Sequence, residues 1–163
     1  MIITGGCKSK ELSHEEAFRL IQQGKHYPQL LDYDIYCGDP KHAKKVLDAG
    51  LEAQGLLTVQ RTQKLGDIGS PLIHFTDKAG AYLLPTSGSD KSSNIQKVKV
   101  ADEELVEVTG IKTGQSGKDA VVEYNTAYKN LTPFSVLVPT NFKQQAIRKA
   151  NFALYDDGWR LEK

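Results

Sequence analysis

The chain of 163 residues holds two cysteines, one methionine and one tryptophan, and no apolar run approaches the length of a membrane-crossing helix. Such a helix needs about 18 or more consecutive apolar residues, so the sequence as written contains no helical span. The cysteines, Cys7 and Cys37, have no zinc-ligand companions, and they could pair only in an oxidising compartment. The four histidines, His14, His26, His42 and His74, stand in no metal-binding spacing. There is neither a phosphate-binding Gly-rich loop ending in Gly-Lys-Ser/Thr nor a Gly-x-Ser-x-Gly nucleophile turn. The expectation is a non-catalytic protein without metal or cofactor.

A surplus of one charge is missing too. The formal net charge is +1, and residues 1–90 carry 10 Lys+Arg against 11 Asp+Glu, the remainder 11 against 9. Proteins that neutralise many phosphates need a basic excess, because released counterions supply much of their affinity. With 39% hydrophobic and 25% charged residues, the chain has the composition of a globular fold.

What is present begins with helix signals. Ser13-His14-Glu15-Glu16 is a capping box, and Ala17, Leu20 and Ile21 form an apolar stripe that Gly24 is expected to stop in a left-handed conformation. Leu31, Tyr33, Ile35 and Cys37 alternate and predict a strand. Cys37 in this setting reads as a small buried apolar residue. Asp39-Pro40 opens a second helix extending toward Gln54, with an early end possible at Gly50.

From Gly55 to Leu84 the pattern predicts a β-hairpin with a long tip at residues 64–71, closed by a helix from Thr76 through Leu83. His74, between Ile73 and Phe75, is expected to face solvent. The stretch 40–84 resembles the recognition helix, wing and closing helix of a winged-helix domain. That resemblance implies a DNA- or protein-docking module, with Lys41, His42, Lys44 and Lys45 on the helix and Arg61 and Lys64 in the wing as nucleic-acid contacts.

Residues 85–94 are rich in turn formers and read as a linker. After them the sequence is strand-like: Val98 and Val100, 105–112, a turn at 113–117, and 120–129, where Val122, Tyr124, Thr126 and Tyr128 share a face. Phe134 to Val138 is expected as a strand, 142–149 is ambiguous, and Asp156-Asp157-Gly158 predicts a closing hairpin. The expected fold is α+β: a winged-helix-like module over 11–84, the 85–94 linker, and an antiparallel β-sheet module over 95–163.

The start, Met1-Ile2-Ile3-Thr4-Gly5-Gly6-Cys7, resembles the end of a bacterial lipoprotein signal, the lipobox, with Thr4 where that motif has an aliphatic residue. The resemblance implies lipidation at Cys7, a tether over 1–10 and a place on the cell-envelope membrane. The first expectation is therefore an envelope lipoprotein that binds a protein or small ligand, with Tyr128 and Tyr155 as candidate contacts. The alternative is a cytoplasmic winged-helix DNA-binding regulator.

Overall fold

In the computed structural model, which describes residues 11–163, Ser13 opens helix α1 (His14–Gly24) by accepting from the Glu16 amide at 3.1 Å. Cys7 and the 1–10 tether lie outside the described residues. Gly24 is the last helical residue and does not adopt the expected left-handed conformation; His26, at φ 56°, does. Gly24 instead has a close neighbour. A Cβ there would stand 2.6 Å from Leu161 Cδ2, so its bare backbone lets the helix end meet that side chain.

Strand β1 (Gln29–Tyr36) follows, and then α2 (Pro40–Asp48), where Asp39 accepts from the Lys41 amide at 2.7 Å and Pro40 takes the first turn. The helix ends six residues before Gln54 because Gly50 turns the chain at φ 75°. Strands β2 (Leu57–Val59) and β3 (Ile73–Phe75) pair antiparallel, with Thr58 opposite His74, and His74 is exposed as its alternation implies. The segment expected to close the hairpin as a helix is a tighter 3-10 turn, Asp77–Tyr82. A short helix α3 (Gly88–Ser92), capped by Ser87, occupies the 85–94 segment.

Strand β4 (Ile95–Thr113) is one strand of 19 residues where the sequence suggested two. It is followed by β5 (Asp119–Lys129), β6 (Ala146–Tyr155) and β7 (Gly158–Leu161). The antiparallel five-stranded sheet has the order β1-β4-β5-β6-β7, separate from the β2-β3 pair. On β5, Ala120, Val122, Tyr124 and Thr126 are buried and Tyr128 is half-buried, the period of two that places alternate residues on one face. Tyr155 pairs with Gly158 across the Asp156-Asp157 turn, as that hairpin signal predicts.

Phe134–Val138 is not a strand. Thr132 caps a 3-10 turn over Pro133–Leu137 by accepting from the Phe134 amide at 3.2 Å, and Pro133 supplies the fixed first dihedral. Phe134 and Leu137 are both buried by it.

The chain forms two compact units that interleave in sequence. One comprises the segment ending at Gln29 with Glu103–Tyr128 and Phe142–Lys163, and the other comprises Leu30–Asp102 with Lys129–Asn141. The dividing points therefore differ from the 85–94 segment, which falls inside the second unit. Its core gathers Ile35, Val46, Leu51, Leu56, Leu57, Ile73, Val98 and Phe134. The first unit has its own core of Ala17, Ile21, Val122, Tyr124, Phe152 and Trp159. No helix among the described residues is long and apolar enough to cross a membrane.

Candidate functional site

The first unit contains a cleft of about 610 Å³, within the range that holds small organic ligands. Its apolar wall is made by Leu12 ahead of α1, Ile111 near the end of β4, Leu154 of β6 and Trp159 of β7. Polar groups come from Glu11 and His14 at the start of α1, and from Thr113, Ser116 and Lys118 around the β4–β5 turn.

That turn is built closely. Gly117, at φ 70°, donates to the Gly114 carbonyl at 3.0 Å, and the Gly114 amide donates to the Asp119 carbonyl at 2.9 Å. A Cβ on Gly114 would lie 2.2 Å from Asp119 Oδ2, so glycine there leaves room for the Asp119 carboxylate to fold back over the turn. Ser116 Oγ donates to Asp119 Oδ1 at 2.9 Å and accepts from the Lys118 amide at 3.2 Å. The Leu154 amide donates to the Lys118 carbonyl at 2.7 Å, which fixes the turn against β6. Lys118 is thus held by its backbone while its side chain stays exposed and makes no ion pair among the described residues.

A second polar cluster sits in the same unit. Glu103 of β4, 4% exposed, accepts three hydrogen bonds on a single oxygen, Oε1: from Thr126 Oγ1 at 2.6 Å, and from Arg148 Nε at 3.0 Å and Nη2 at 2.8 Å. The pair joins β4 to β6 across β5, and the hydrogen bond from Arg148 to Glu103 raises the guanidinium pKa further. Tyr27 and Tyr124 meet edge to face, with hydroxyls 3.4 Å apart. Burial, then the Tyr124 hydrogen bond, pushes the Tyr27 phenol pKa well above its ordinary value, with the Glu103 charge adding to it. The arrangement satisfies a buried charge and holds neighbouring strands; it presents no activated nucleophile.

The residues singled out from sequence do not gather in the cleft. Lys41 is exposed at the start of α2, and Lys44 pairs with Asp48 one turn along. Lys45 Nζ donates to the Tyr33 hydroxyl at 2.8 Å and lies 4.7 Å from that ring's centre. His42 Nδ1 accepts from the Tyr36 amide at 3.3 Å. Arg61 forks onto Glu52, whose carboxyl pKa is lowered to about 2, first by that hydrogen bond and then by the Val59 amide. Lys64 is exposed in the β2–β3 connection. Tyr128 packs edge to face on Phe142 at 5.1 Å, and Tyr155, half exposed, lies under Arg160, which pairs with Asp157 at 2.8 Å. Cys37 is a free, buried thiol whose pKa burial pushes up to about 11, consistent with an inert apolar role.

The cleft residues carried no motif. His14 reads in sequence as a surface histidine, and Trp159 as core. The Thr113-to-Gly117 turn was the sole local signal, and it marks a bend without revealing what comes to lie beside it. Among the described residues no three or more His, Cys, Asp or Glu side chains are grouped to hold a metal ion. Comparison with protein-family models, with curated proteins and with solved structures returns no match to this chain, so what the cleft accepts rests on its own residues.

Proposed function

We propose that the protein is a non-catalytic binding module that takes a small ligand in the cleft beside Trp159 and works tethered to a bacterial envelope membrane through Cys7. The observation that carries the binding reading is the cleft itself: about 610 Å³ with an apolar wall and polar groups around it, set between α1, the β4–β5 turn and strands β6 and β7. Such a site favours ligand binding because its polar groups can orient a molecule held against the apolar wall. The tether is supported by the lipobox-like run ending in Cys7.

Two measurements test the two halves. Trp159 is the only tryptophan, so its emission reports occupancy of the cleft without a label. A small-molecule panel should contain compounds that shift this emission saturably; a panel without one removes the binding reading. The intact mass of native protein should show acyl chains on Cys7, and an unmodified mass removes the tether.

A second reading is a cytoplasmic winged-helix regulator. It draws on α2 followed by the β2–β3 hairpin, with Lys41, His42, Lys44, Lys45, Arg61 and Lys64 toward duplex DNA. It ranks second because Lys44, Lys45 and Arg61 already engage Asp48, Tyr33 and Glu52. Salt-sensitive retardation of duplex DNA, lost when Lys41 and Lys64 are replaced, would reverse that order.

A further inference from the structure

We propose that the unit carrying α1 and the β5–β7 strands has a second ligand site, lined by Tyr27, Glu103, Tyr128 and Arg148, which takes a neutral, hydroxyl-rich ligand of the sugar type. It lies on the core face of the sheet, where Ala120 pairs with Phe152 and Val122 with Ala150, all four buried. The next pair along that face is Tyr124 with Arg148. Directly opposed residues point to the same side, so the buried Tyr124 ring and the Arg148 side chain, 43% exposed, mark where the core face meets water. Tyr128, four residues beyond Tyr124 and so on the same face, is half-buried with its ring against Phe142.

The hydrogen-bonding capacity left at this end sets the ligand class. Thr126 and both Arg148 donors converge on Glu103 Oε1, and Oε2 has no donor among the described residues. No enclosed side-chain oxygen or nitrogen among those residues lacks a partner, so Oε2 is open to solvent although Glu103 is only 4% exposed. Arg148 Nη1 likewise keeps its hydrogens for another acceptor. Tyr27 and Tyr124 share one hydroxyl contact, at 3.4 Å, and can pass only one of their two hydrogens across it. The site therefore offers an acceptor and donors, while Glu103 and Arg148 cancel each other's charge at 2.8 Å. An anion would face the Glu103 carboxylate and a cation the guanidinium; hydroxyls, which both donate and accept, meet neither penalty. The half-buried Tyr27 and Tyr128 rings give the C–H face of such a ligand its apolar contact.

The test follows the Arg148 Nε–H signal by NMR while the full chain is titrated with glucose, galactose and N-acetylglucosamine. At least one should move that signal saturably with a Kd of about 1 to 10 mM, since each hydrogen bond exchanged with water contributes modestly. Added salt should leave the affinity unchanged, and glucuronate and glucosamine should bind no tighter than the neutral sugar. Tyr128→Leu, which keeps an apolar side chain against Phe142, should weaken binding about fivefold. Glu103→Gln puts a donor where Oε2 was and leaves Arg148 uncompensated, so the neutral sugar should weaken about tenfold and glucuronate should overtake it. Silence from all three sugars, shifts confined to the Trp159 indole, a charged sugar that binds the parent tightest, or a Tyr128→Leu protein that binds as the parent does would each overturn the site. Every one of these outcomes leaves the Trp159 cleft reading standing, because the two sites share no residue.

Discussion

In the unit that carries α2 and the β2–β3 hairpin, Thr132 is the one buried polar residue among those described, and its hydroxyl is satisfied by the Lys99 carbonyl. The unit that carries α1 and the β5–β7 strands instead encloses a carboxylate, a threonine hydroxyl and part of a guanidinium, and it also has the cleft. Both are closed by aromatic side chains, Phe134 in one and Phe152 in the other, each fully buried. The difference lies in specificity. An apolar interior tolerates many arrangements of similar volume, whereas one oxygen receiving donors from β5 and β6 rewards a single pairing of strands. A one-residue slip of β6 would carry Arg148 to the opposite face.

The largest effects should treat both units alike. Phe134→Ala and Phe152→Ala are each expected to lower the unfolding free energy by about 4 kcal/mol, measured by denaturant titration, because each leaves a cavity where a whole ring was. A loss under about 2 kcal/mol at either site would mean that its core collapses easily and is not comparable with the other.

Charge should then separate them. Glu103→Ala strands Arg148 and should cost about 2 to 3 kcal/mol, below the usual range for a buried pair because the Arg148 side chain is 43% exposed. Glu103→Leu with Thr126→Val and Arg148→Met should return to within about 1 kcal/mol of the parent, since neither a charge nor the buried Thr126 hydroxyl is left without its partner. If this triple variant is as unstable as the single one, the cluster contributes net stability and the contrast with the apolar unit is energetic rather than one of register.

Caps sharpen the comparison at a smaller scale. Ser13→Ala in one unit and Asp39→Ala in the other each remove an acceptor for a helix amide and should each cost about 1 kcal/mol. A clear inequality would show which helix depends more on its own end and less on packing.

The smallest effect is the acid response of the α2-bearing unit. The Glu52 carboxyl is depressed from 4.5 to about 2, so its pairing with Arg61 contributes in full above the ordinary carboxylate value and is lost as pH falls through about 2. Glu52→Gln should flatten stability between those pH values, and the Glu52 side-chain carbon followed by NMR should titrate near 2 in the parent. Titration near 4.5 would dissolve the pair.

Local chemistry accounts for what was legible beforehand. Ser13, Asp39-Pro40 and Asp156-Asp157-Gly158 act within a few residues of themselves, and each produced the helix start or hairpin its type requires. Phe134–Val138 misled because a short, largely apolar run between two prolines does not distinguish a strand from a capped turn; Thr132-Pro133 just before it held the deciding signal. Glu103 sits in Asp102-Glu103-Glu104, a run that reads as solvated, and only its distant partners Thr126 and Arg148 make its burial tolerable. The cleft was invisible for the same reason: its walls come from residues 11–14, 111–118 and 154–159, which are brought together only by strand pairing and by α1.

His26 carries a consequence for protein engineering. It holds a backbone conformation that costs an L-residue roughly 1 to 2 kcal/mol. Two other side chains in that conformation are repaid locally: Asn94 donates to the Gly69 carbonyl and Asn130 to the Asp102 carboxylate. His26, exposed just beyond α1, has no such bond among the described residues. It is a reserve of stability the chain has left unused, and glycine or asparagine there is where directed improvement of this scaffold would begin.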